Sequence, residues 1–207
     1  MIFWAFLGLC LELSAKKNNI KTKVIFILVY YLCVYILSCV SIYYFPINGD
    51  EILYYGCGVN YVDLILKGQL WNFPVSACEA NQNTFAKIAG YIFTLGGKSI
   101  YSIVGFNAFV IHLSSFLIAE IFNFTDLQKE KFKKILIFFP PILYLCIRPG
   151  KEASIAFSYC LVVYAVTVKN KYNKLAMMAF ALGVRYFIRW QQALVAAIAI
   201  LLYLLWG

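Results

Sequence analysis

The chain is written in long apolar runs separated by short polar connectors. Val24 to Phe45 carries no charge, and Ile100 to Phe122 carries no acid or base except His112 and the late Glu120. Each run predicts a helix able to cover roughly 30 Å of hydrocarbon. Residues 2–15 are apolar but short and contain Glu12, which predicts a tilted or interfacial first helix. A cleaved signal peptide is disfavoured, because the lysines follow this run and no small-residue cleavage site precedes KKNNIKTK.

Residues 46–97 are mixed, with four acids, Pro74 and several Gly and Asn, so no continuous membrane helix fits there. A loop bearing short amphipathic helices is predicted. Ile52, Tyr55, Val59, Val62, Leu66 and Leu70 fall near helical spacing and form the expected apolar face of a surface helix. After TDLQKEKFKK, apolar blocks alternate with RPGKE, KNKYNK and RYFIRW, predicting short, tilted or broken helices. Pro140 and Pro141 should break the first block, a break that neighbouring helices can accommodate within a bilayer.

Composition fixes the solvent. With 63% hydrophobic and 13% charged residues and a mean hydropathy of +0.79, the 207 residues cannot cover a water-soluble exterior. The predicted fold class is all-α, a polytopic transmembrane helical bundle, with residues 1–207 forming one membrane domain and 46–97 its exterior loop. The net charge of +9 does not imply nucleic acid, because the lysines sit in short clusters between apolar runs. The clusters at 16–23, 124–134 and 169–174 instead fit one cytoplasmic face. The opposite face receives residues 46–97, RPGKE and RYFIRW, the last two read as turns. Cys57 and Cys78 lie on that oxidising side and are placed either for a disulfide or as two unpaired loop cysteines.

Candidate chemistry gathers on the exterior side. Asp50 and Glu51 follow the first secure span, and a carboxylate there can serve as general base if partial burial raises its pKa. The plainer reading is that Asp50 caps a helix beginning near Glu51. The three arginines, Arg148, Arg185 and Arg189, with Lys151, also fall on this face, which the charge rule disfavours. They suit a lipid phosphate, or alternatively snorkel to ordinary headgroups. Asn107, His112 and Glu120 lie in an apolar run, where such groups are often functional but more commonly make interhelical hydrogen bonds. The secure spans contain no evident pair of opposite charges, which weakens a transporter reading.

Taken in order, the exterior Asp-Glu followed by Tyr, the segment ending in KGQLW, GYIFTLGGKSIYSIVGFNAFV, FFPPILYLCIRPGKEASIAF and RYFIRWQQALVAA make most of the chain similar to membrane glycosyltransferases of the GT-C superfamily. That resemblance implies a polyprenyl-phosphate-linked sugar donor and an exterior acid that activates the acceptor. By position it makes Asp50 the base with Glu51 beside it, and Arg148, Lys151, Arg185 and Arg189 the phosphate-holding cations. It firmly implies no cofactor, although a divalent metal is compatible with it. Implied partners are the lipid-linked donor, membrane lipids and a further membrane chain, with no nucleic acid, in a bacterial inner membrane. Family members usually have more spans than the about five to seven read here, which implies a truncated or reduced relative. O-antigen polymerases are close neighbours in pattern. The rival class is a small non-enzymatic membrane protein, such as an immunity or exclusion protein, which fits the size and the basic connectors equally well.

Overall fold

The computed structural model describes residues 1–14, 20–47, 49–69, 73, 78, 84–122 and 124–206. The sequence readings on Lys16, Lys17, Leu70, Pro74 and Glu79 fall outside these residues. Among the described residues all regular structure is helical: α1 (Ile2–Ser14), α2 (Ile20–Tyr44), α3 (Asp50–Leu66), α4 (Thr84–Gly96), α5 (Ile100–Ile121), α6 (Asp126–Phe138), α7 (Pro140–Ile147), α8 (Glu152–Thr167), α9 (Lys171–Ile188) and α10 (Trp190–Trp206). Two of them, α2 and α5, are long and apolar enough to cross a membrane. Their 25 and 22 residues extend about 37 and 33 Å.

The two long helices are packed differently. α5 is the axis of the fold: it touches α1, α2, α4, α6, α7 and α8, and buries polar and apolar residues alike, from Ser102 to Ala119. Its start is set by Ser99, whose side chain accepts from the Tyr101 amide. α2 buries only Lys23, Ile27, Tyr30, Tyr31, Val34 and Ser38, a single face at three- and four-residue spacing, and leaves Ile25, Leu28, Leu32 and Ile36 outside. Tyr30 fastens the pair by donating to the Ala108 carbonyl at 3.1 Å. α1 turns one stripe inward, Trp4, Gly8 and Glu12. Gly8 lets α1 and α2 come close, because a Cβ would stand 2.7 Å from the Tyr31 hydroxyl and the ring would have to move.

α3 and α4 form the most closely packed helix pair. A Cβ on Gly58 would lie 2.7 Å from the Phe93 ring and 3.0 Å from the Ala89 methyl, so this face cannot carry a larger residue without separating the helices. The buried face of α3 is Tyr54, Cys57, Gly58, Tyr61 and Val62, not the predicted stripe. Of that stripe's described members Val62 alone is buried, Tyr55 and Val59 are half-buried, and Ile52 and Leu66 are exposed. The helix is apolar on more than one side, so hydrophobicity alone could not choose between faces, and the small residues at 57–58 decided it. Cys57 is disulfide-bonded to Cys78 across 21 residues, with the Cα atoms 5.2 Å apart.

The later helices follow the proline signal more closely than the charges. α6 ends at Phe138, Phe139 is extended, and α7 restarts with Pro140 and Pro141 in its first turn, where the missing amide costs nothing. A capping box at Thr125 and Gln128 starts α6. α9, however, begins at Lys171, capped by Asn170, and continues through Arg185 to Ile188. The predicted RYFIRW turn is therefore helix as far as Ile188, and the chain bends only at Arg189.

Candidate functional site

One end of the bundle gathers the carboxylates of α3 and the cations around α7 and α8. Arg148 caps the C-terminus of α7, and the 148–151 turn is set by Asn107 in the middle of α5. The Asn107 amide donates to the carbonyls of both Arg148 (2.9 Å) and Gly150 (3.0 Å). From this turn the Arg148 guanidinium grips Glu51 two-pronged, Nε to Oε1 at 2.8 Å and Nη2 to Oε2, while Nη1 donates to the Phe45 carbonyl just beyond α2 at 2.6 Å. One side chain thus joins α2, α3 and the α7–α8 turn.

Asp50 is the more open of the two acids. Its Oδ2 accepts from the Tyr54 hydroxyl at 2.9 Å and from Lys151 Nζ at 3.2 Å. Oδ1 has no hydrogen-bond partner among the described residues, and the side chain is 64% exposed. The Tyr54 hydroxyl, then the Lys151 ammonium, hold this carboxyl below the usual carboxylate range, with Arg189 adding to the effect. The sequence argument that partial burial would raise it is therefore corrected: hydrogen bonding and nearby cations outweigh the slight desolvation. The capping alternative is corrected too. Gly49, at φ 47°, is the cap residue, and Asp50 opens the helix with its side chain turned to Tyr54 and Lys151.

The four candidate cations do not converge as a set. Arg148 and Lys151 are committed to Glu51 and Asp50. Arg185 is buried, donating through Nε to Ser158 Oγ at 2.9 Å with its guanidinium 3.3 Å from the centre of the Tyr159 ring. Arg189 caps α9 in an extended conformation (φ −152°), so the shared helical face expected for Arg185 and Arg189 is absent. Arg189 is exposed, near enough to lower Asp50, and makes no side-chain hydrogen bond or ion pair among the described residues.

Of these cations Arg148 lines a half-open cleft of about 580 Å³, together with Asp50, Glu51, Tyr54 and Glu152, and with Phe45 and Tyr144 as its apolar side. The volume is that of a small-ligand site. Tyr54 and Glu152 were not singled out in the sequence. Tyr54 was accessible to reasoning, because it stands one helical turn after Asp50. The carboxylates suit a divalent metal poorly, since Asp50 and Glu51 each face a cation, and no three metal-ligating side chains come together among the described residues.

A second charged cluster lies at the other end. Glu12 of α1 pairs with His112 of α5 at 3.1 Å and with Lys133 of α6 at 3.5 Å, and its backbone carbonyl accepts from Lys23 of α2 at 2.8 Å. The long runs still contain no opposite-charge pair of their own; the carboxylate facing His112 comes from the short first helix. Glu120 serves locally, bound to Lys129 at 2.5 Å. No family model matches the chain, and neither a curated protein nor a solved structure matches it.

Proposed function

We propose that the chain is a polytopic integral membrane protein whose Asp50–Arg148 cleft faces the exterior and, with the neighbouring Arg189, binds the phosphate-bearing head of a lipid-linked sugar donor. In this reading it acts in polysaccharide or lipid-linked sugar assembly, in the manner the GT-C resemblance implies. One observation carries it: carboxylates at 50–51 and cations at 148–151, far apart in sequence, meet at a cleft where Asp50 keeps one carboxylate oxygen open, and the exposed Arg189 lies near enough to act on that carboxyl. Asp50 Oδ1 is the atom available to take the acceptor's hydroxyl proton while Tyr54 and Lys151 fix the other oxygen. Arg189 supplies the charge-assisted contact to phosphate, and Arg148 holds the frame. The lysines near Glu12 and Glu120 cluster at the opposite end, which supports the positive-inside orientation. The exposed Ile52 and Leu66 of α3 suit a helix resting at the membrane surface.

The test is binding of a short polyprenyl phosphate to purified protein in nanodiscs. Arg189→Ala should weaken binding roughly ten- to a hundred-fold, the value of one charge-assisted hydrogen bond, while Asp50→Asn should keep binding and abolish transfer. Equal affinity in wild type, Arg189→Ala and Arg148→Ala would leave only snorkelling to bulk lipid. Reporter fusions after Lys134 and Lys174 should read cytoplasmic and a fusion at Gly150 external; the reverse pattern removes the exterior site.

A further inference from the structure

The cluster around Glu12 takes no part in the cleft chemistry, yet it encloses a carboxylate and an imidazole almost completely. Glu12 is 2% and His112 1% exposed. An ionised Glu12 only accepts hydrogen bonds, so the imidazole facing it donates through Nε2, and Nδ1 then carries the free lone pair. Nδ1 is buried with no hydrogen-bond partner among the described residues. Its surroundings are aromatic, with Phe26, Tyr30 and Phe116 at 6.3, 6.0 and 5.4 Å between ring centres. Nδ1 therefore keeps a basic lone pair inside the bundle, while Nε2 is held by a carboxylate that favours the protonated ring.

Every charged group facing it has a defined place. From α1 comes Glu12, from α2 Lys23 on the Glu12 carbonyl, and from α6 Lys133, whose ammonium also lies 3.6 Å from the centre of the Phe116 ring. Lys134 of α6 reaches the Phe26 ring and pairs with Glu130, and on α5 itself Glu120 pairs with Lys129. The nearby Ser115 hydroxyl is spent on the His112 carbonyl at 2.6 Å. With Glu12 and Lys133 both charged, their charges balance. His112 is then the member of the cluster left to gain or lose a proton.

We propose that Glu12, His112 and Lys133 form an internal proton-binding site, in which His112 Nδ1 takes up and releases a proton and so sets how firmly α1 is docked. Uptake converts imidazole to imidazolium, the proton coming from water at the lysine-rich end, and no bond other than the new N–H is made. Imidazolium strengthens the hold of α5 on Glu12. α1 transmits that hold along its inner stripe, because Trp4 packs on Phe106 and against Gly105, two residues before the Asn107 that sets the 148–151 turn.

His112 is the chain's single histidine, which makes the test direct. Protein labelled with 13C and 15N in histidine, held in nanodiscs, gives one imidazole signal to follow from about pH 5 to about pH 9. The expected result is a complete titration of that signal. Glu12→Gln and Lys133→Met should move its midpoint in opposite directions, each by about ten-fold in proton affinity or more. An imidazole that stays in one protonation state throughout, or a titration that neither variant moves, overturns the proposal. The wild-type measurement decides the first point even if a variant fails to fold, and neither outcome depends on sugar transfer.

Discussion

The two ends of this molecule carry the same chemistry under opposite conditions. At one end Asp50 and Glu51 meet Lys151 and Arg148 beside an open cleft, with Arg189 near Asp50, and at the other Glu12 meets His112, Lys133 and Lys23 with little access to solvent. Exposure separates their uses. The Asp50 side chain is 64% exposed and keeps an oxygen for a ligand, whereas Glu12, at 2%, has room only for exchange of protons. Equivalent ion pairs also have unequal weight. Breaking a buried pair strands a charge, while an exposed one is largely replaced by water.

The hardest test of this contrast is removal of Glu12. Glu12→Ala leaves the largely covered Lys133 and the buried His112 without their shared carboxylate and should cost about 2–4 kcal/mol, read as loss of unfolding free energy in detergent. A loss under about 1 kcal/mol would mean that water reaches this end as freely as the other. Next comes the clamp on the open end. Replacing Cys57 and Cys78 together by serine should cost about 2–4 kcal/mol. It should also raise proteolysis between α3 and α4 while leaving the Glu12 end intact; protection lost equally at both ends would show that they do not behave as separate regions.

The smallest effect sharpens the comparison at the open end. Because Tyr54 and Lys151 hold Asp50 below the usual carboxylate range, their contribution is full above that range and fades as pH falls below about 4, when the carboxyl takes its proton. Tyr54→Phe should change stability by less than about 1 kcal/mol at neutral pH, and the difference from wild type should shrink below about pH 4. A difference that instead grew with acid would contradict the assigned hydrogen bond.

Which parts were legible in sequence follows from range. The α2 and α5 helices and the break before Pro140 are written locally, in uncharged runs and in proline's missing donor. Asp50, Glu51, Arg148 and Lys151 could be picked out by type and position, but not the pairing of Glu51 with Arg148, 97 residues away. Glu12 looked like a defect in a short apolar run, because its partner is 100 residues distant. Arg185 resembled a turn residue because a charge in an apolar segment usually marks its end. Here Ser158 and the Tyr159 ring receive it inside the bundle, and the helix runs on.

The cross-link between α3 and the stretch before α4 also has a history in time. Cys78 must leave the synthesis machinery before the bond can close, and the closed ring encloses Asp63 and Lys67. On the proposed topology, drawing that ring back through the bilayer would take both charges across hydrocarbon, at about 2.5 to 3.5 kcal/mol each. It would also have to pass as a doubled strand. On that topology the disulfide would act as a ratchet on insertion: a crossing of α2 that a single open chain could still reverse would have to be undone as a closed loop once the thiols are oxidised.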